Sequence, residues 1–138
     1  MQKIIIKNIN LYICNVEFKL IFDDQLTLIS GKSGSRKSLM YKAFRDKSAE
    51  DERIICFDGI DLIKKDITKE ISKLKNKVIV IDNADILNMD QRADIALDEN
   101  NQYIIISNIY GDGYCPGRNS LRKLVGENNK GKLIPVLW

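Results

Sequence analysis

Histidine is absent from this chain, and the three cysteines, Cys14, Cys56 and Cys115, are an odd number that shares no metal-ligand spacing. This excludes a structural zinc site from the sequence pattern and leads to the expectation of a reduced, cytoplasmic protein. Long apolar runs are missing as well. Stretches such as 4–6 and 78–81 are far too short for a membrane span or the core of a signal peptide, so no membrane partner and no export are expected. Nor is there an excess of one charge. With 22 Lys and Arg against 19 Asp and Glu, a net charge of +3 is scattered along the chain, and no face is committed to a polyanion as long as DNA. Nucleic-acid binding is compatible with this but has no direct support. Internal repeats and low-complexity stretches are lacking too. What is present is 138 residues with 44% hydrophobic content, enough for one compact domain over 1–138 with a real core.

Apolar residues at period two, Ile4 and Ile6, then Leu11 and Ile13, then Val16, Phe18, Leu20 and Phe22, predict an antiparallel meander over 1–25. Leu26 to Ile29 reads as a further strand, running into a glycine-serine loop and then a helix from Lys37 with Met40, Ala43 and Phe44 on one face. Arg53 to Phe57 follows as a buried strand. Ile60, Ile63, Ile67, Ile71 and Leu74 recur at three- and four-residue intervals and predict one amphipathic helix. Val78 to Ile81 is a β-branched run of the kind covered on both sides, and Met89 to Leu97 reads as a helix. Tyr103 to Ser107 gives another apolar strand, Gly111 to Gly117 an exposed loop, and Ser120 to Val125 a short helix stopped by Gly126. The last strand, Lys132 to Leu137, is expected at a sheet edge because of Pro135. Alternating strands and helices predict an α/β fold in three layers, a mostly parallel sheet over 26–138 beside the N-terminal meander.

The loop between the fourth predicted strand and its helix is Gly31-Lys32-Ser33-Gly34-Ser35-Arg36-Lys37-Ser38, which fits the phosphate-binding pattern G-x-x-x-x-G-K-S at every defined position except Arg36. In that pattern successive backbone N–H groups curl round a phosphate at the positive end of a helix, the lysine reaches the outer phosphates, and the hydroxyl meets magnesium. Here those roles fall to the loop amides, Lys37 and Ser38. A glycine at position 36 would let the backbone approach the phosphates; an arginine side chain has to swing out or intrude on the ligand.

This arrangement resembles the P-loop NTPases, and within them the additional-strand division that contains the ABC-type and AAA-type ATPases. Gly31 to Ser38 is similar to the Walker A motif, Ser33-Gly34-Ser35 to its ABC-type version, and Val78 to Asp82 to the Walker B strand. The resemblance implies an ATP or other NTP ligand with Mg2+, the ion bound by Ser38 and, through water, by Asp82, and a polar residue sensing the terminal phosphate at Asn108. It implies a catalytic glutamate directly after Asp82, where this chain has Asn83. An amide cannot take a proton from the attacking water. Asp85, in the run Asp82-Asn83-Ala84-Asp85, is a conceivable substitute, although a helix cap is the reading favoured for it. The ABC signature segment and the AAA-type C-terminal lid are both missing. Lys32 stands where partition-type ATPases carry a second lysine, but Ser33 and Arg36 break that pattern.

The function expected from these residues is a nucleotide-binding module with weak or partner-dependent hydrolysis, acting as a switch with a protein partner or as a homo-oligomer. Two alternatives stay open: an interaction protein whose loop no longer binds nucleotide, and a small P-loop kinase in which Asp58 or Asp61 orients the acceptor. Arg92, Arg118 and Arg122 are candidate phosphate contacts for a neighbouring subunit, with solvated surface as the favoured reading. Cys14 and Cys56 are expected to be small buried hydrophobes, and Cys115 exposed.

Overall fold

Strands β1 (Asn8–Ile13) and β2 (Val16–Ile21) pair antiparallel, with Ile13 opposite Val16. The two-residue turn between them is Cys14-Asn15, both at positive φ (50 and 63), the backbone a tight hairpin demands. The computed structural model describes residues 3–30, 36–108, 121–127 and 130–135. Within them the N-terminal region is a hairpin rather than a three-stranded meander. Ile5 and Ile6 do not join a ladder because their N–H groups are taken by the buried Gln102 side chain, at 2.7 and 2.8 Å. Cys14 is exposed in the turn, which corrects its expected burial, whereas Cys56 sits half-buried in β4 (Ile54–Phe57). Burial pushes the Cys56 thiol up to about 11, so it stays protonated and unreactive near neutral pH.

The remaining elements are β3 (Leu26–Ser30), α1 (Lys37–Ser48), α2 (Gly59–Lys64), α3 (Ile67–Ile71), β5 (Val78–Ile81), α4 (Met89–Leu97), β6 (Gln102–Ile106), β7 (Leu121–Glu127) and β8 (Lys130–Pro135). A 3-10 turn, Ala84–Ile86, follows β5. The strands form one sheet in the order β1-β2-β8-β7-β3-β6-β5-β4. From β7 to β4 all neighbours run parallel. β7 and β8 are antiparallel, and β8 is parallel to β2. β6 therefore lies between β3 and β5.

Alternation along these strands divides the core in two. Ile29, Val78, Val80, Ile104 and Ile106 face the cluster that holds Met40, Ala43 and Phe44 of α1. Leu28, Ile79, Ile81, Tyr103 and Ile105 face the cluster that holds Leu62, Ile67, Ile71 and Ile95 of α2, α3 and α4. Helices thus cover both faces, and β5 and the 103–106 part of β6 read as unbroken apolar runs because neither face meets water.

Three expectations are corrected here. The helix expected over Ile60 to Leu74 is two short helices, because Asp66 turns its carboxylate to the Thr68 N–H and caps α3. Ile60 and Ile63 are consequently 61% and 74% exposed rather than buried. The helix expected over Ser120 to Val125 is strand β7 from Leu121 onward, which satisfies the backbone of β3 along Leu28–Ser30. A helix that short has little stability of its own and yields to pairing. Finally, β8 is interior, not an edge. Its ladder with β2 covers Lys130 to Lys132, so Pro135 lies beyond it and its missing N–H interrupts nothing on that side.

The expected loop at Gly111 to Gly117, Cys115 and Arg118 lie outside the described residues, as do Gly31, Lys32, Ser33, Gly34 and Ser35. Among the described residues no helix is long and apolar enough to cross a membrane.

Candidate functional site

Parallel strands deliver their C-terminal ends to one side of a sheet, and polar residues gathered there meet across strands. β3 leads towards α1, whose first residue is Lys37; β5 runs into Asp82; β6 runs into Ser107-Asn108. The Lys37 Nζ donates to Asn108 Oδ1 at 2.7 Å, joining residues 71 positions apart in the chain.

Lys37 is buried, and burial lowers its pKa, opposed by the carboxylates of Asp85 and Asp82. Asp82 is shifted the other way. Its half-buried carboxyl is raised above the ordinary carboxylate value, first by desolvation and further by Asp58 and Asp85; a backbone N–H from Asn83 and the Lys37 charge oppose this. Lys37 thus lies near carboxylates, of which that of Asp82 is partly desolvated. Ser38 is exposed on the first turn of α1 beside Lys37.

Asp85 is not a helix cap, which corrects the favoured reading. Its carboxylate accepts the Ser107 hydroxyl and the Asn108 backbone N–H, the latter at 3.2 and 3.4 Å to its two oxygens. The cap of α4 is Asn88, in a reciprocal box with Gln91. Asn83 is exposed with φ 53 and closely approached by the start of α2: a Cβ on Gly59 would stand 3.0 Å from its Nδ2. Glycine at that point lets the two turns meet.

The start of α1 differs from those of the other α-helices. α2, α3 and α4 are each capped by a side chain, from Asp58, Asp66 and Asn88. α1 begins at Arg36 in the left-handed region (φ 72), with no side-chain cap bond and no acid in its first turn. Two cations, Arg36 and Lys37, therefore stand at the positive end of a helix dipole, where an anion is the favoured neighbour.

Asp58 and Asp61 are tied to each other's backbone N–H in a capping box, and Asp58 also pairs with Arg45 at 3.1 Å. These contacts account for both acids structurally. Arg92 and Arg122 are not solvated surface residues. Arg92 is buried with its Nη2 donating to the Asp85 carbonyl at 3.1 Å, and Arg122 pairs with Asp23 at 3.9 Å.

Ser107 is the site residue that sequence reasoning missed. The available signal was a serine closing an otherwise apolar strand, one step past the Ile29–Ile106 pair and so level with Ser30 of β3. No group of three or more His, Cys, Asp or Glu able to hold a metal occurs among the described residues. No family model matches this chain, and neither do any curated proteins or solved structures.

Proposed function

We propose that the chain binds a magnesium nucleotide, ATP or another NTP, by its phosphates at the start of α1, and that it hydrolyses the ligand weakly or only with a partner. The observation that carries this reading is the convergence of Lys37 at the start of α1 with Asn108 and Asp82 just past the ends of β6 and β5, with Lys37 in contact with Asn108 at 2.7 Å. The position of β6 between β3 and β5 supports the resemblance to the additional-strand P-loop NTPases. So does a helix start that carries two cations and no side-chain cap.

The donors suit magnesium. Ser38 and Asp82 offer oxygen only, and a hard ion that keeps several waters needs just one or two protein ligands plus phosphate. Asp82, with its raised proton affinity, is a carboxyl whose charge gains from a cation nearby. Magnesium would supply charge neutralisation of the phosphates. The protein's own part is to orient the phosphates with α1 and Lys37 and to place Asn108 beside them. Asn83 carries an amide where a base is needed, and Asp85 spends its carboxylate on Ser107 and Asn108, so slow turnover follows.

Arg36 favours the second reading, a fold that retained the site's frame without the ligand. It takes left-handed backbone, and its Nη1 is buried without a partner among the described residues. The kinase reading loses support because Asp58 and Asp61 are bound up in the start of α2.

Titration calorimetry of ATP with magnesium tests the proposal. Heat that disappears in Lys37→Ala is expected, and no heat at millimolar nucleotide would leave the second reading standing.

A further inference from the structure

We propose that Asp85 is a positioning residue, and that Asp85, Asn108 and Lys37 form a latch in which Asn108 engages the lysine ammonium until a phosphate displaces it. This rests on the nucleotide-binding reading of the same site. Asp85 is fixed from both ends. Its carbonyl accepts from the buried Arg92 Nη2 at 3.1 Å, while its carboxylate receives the Ser107 hydroxyl and the Asn108 N–H. The end of β6 is thereby pinned to the turn that follows β5. Pinned backbone at 107–108 sets where the Asn108 side chain starts, and its carboxamide oxygen meets Lys37 Nζ at 2.7 Å. The holder is neutral. A polyphosphate with full charges displaces a carboxamide from an ammonium, whereas a carboxylate at that position would keep it in an ion pair. The latch therefore tunes affinity: each binding event first breaks the Lys37–Asn108 bond.

The experiment combines two readouts on the full chain. One is titration of ATP with magnesium. The other is the rate at which Lys37 is acylated by succinimidyl acetate without nucleotide, followed by peptide mass spectrometry. Asn108→Ala and Asp85→Ala are each expected to bind ATP on the order of ten-fold tighter and to expose Lys37 to acylation by a similar factor. The double variant gains no more than either single one, since both act on the same bond. Asp85→Asn, whose amide oxygen still accepts from the Asn108 N–H, returns towards the parent, which a purely coulombic effect of the Asp85 charge on Lys37 would not produce. Asn108→Asp moves both readouts the other way.

Unchanged acylation of Lys37 in Asp85→Ala, or fully additive effects, overturns the latch while ATP binding by the parent leaves the functional reading intact. Faster acylation in a set of proteins that bind no ATP upholds the latch contact and defeats that reading instead. Should Asp85→Ala fail to fold by circular dichroism, Asn108→Ala, at an exposed position, decides alone: parent-like acylation there removes the proposal.

Discussion

Arg36 adopts φ 72 and ψ 18, a conformation in which an L side chain crowds the following carbonyl at a cost of about 1–2 kcal/mol. Glycine removes that clash but carries about 0.5–1 kcal/mol of extra chain entropy when unfolded. Replacing Arg36 by glycine also frees a buried guanidinium nitrogen that lacks a partner among the described residues. Arg36→Gly is therefore expected to stabilise the chain by roughly 0.5 kcal/mol, a rise of about 1–3 °C in melting midpoint. A fall in the midpoint would mean that the guanidinium contributes more than the backbone strain costs.

Asp82 carries a second residue-level consequence. Its folded pKa is raised, chiefly by desolvation, so the fold prefers the neutral carboxyl. The associated stability is full below the ordinary carboxylate pKa and is lost as pH rises through the folded value. At pH 7 the ionised group destabilises the native state. Asp82→Asn should accordingly melt higher than the parent at pH 7, with the gap closing as pH drops below the ordinary carboxylate range. Equal midpoints at neutral pH would show that nearby cations fully offset the burial.

Local chemistry accounts for most of the secondary elements. Asn88 and Gln91 satisfy each other's backbone N–H at 2.8 and 2.9 Å and fix the start of α4 at Met89, where the apolar pattern placed it. Asn88→Ala should cost about 1 kcal/mol in urea denaturation, while Asn88→Ser stays close to the parent. β3, α1, β5 and α4 were legible because each has its own period or cap signal. The break between α2 and α3 was harder to see: the isoleucine spacing continues across Lys65-Asp66, and only Asp66 acting as a cap reveals the interruption. β7 was misread because its strand character comes from pairing with β3 and β8, which no local pattern encodes. In the site, Lys37 could be named from the loop pattern, and Asp82 and Asn108 from strand ends. The engagement of Asp85 with Ser107 was invisible, because it depends on the lateral order of β5 and β6.

Within the sheet, a narrow seam joins the N-terminal hairpin to the other strands. The hairpin of β1 and β2 reaches the parallel strands through β8, where Glu17, Phe18 and Lys19 face Lys130, Gly131 and Lys132. Phe18 is fully buried, and its ring lies across Gly131 so closely that a Cβ there would stand 2.4 Å from Cδ1 and 2.7 Å from Cε1. Neither partner has an easy way out. The ring sits in the cluster with Leu11, Leu20 and Phe44, and Gly131 is held in register with Gly126 of β7. A methyl group at 131 must therefore shift either the ring or the strand, and overpacking of this kind costs about 1–3 kcal/mol. Gly131→Ala should lower the unfolding free energy measured in urea by that amount, and Gly131→Ala combined with Phe18→Leu should recover part of it, since the smaller side chain vacates the clash. Because the ladder at this seam spans three residue pairs, the damage should appear first as faster amide exchange in β1 and β2, before β5 and β6 are touched. Uniform loss of protection across all strands would show instead that hairpin and parallel core unfold as one cooperative unit.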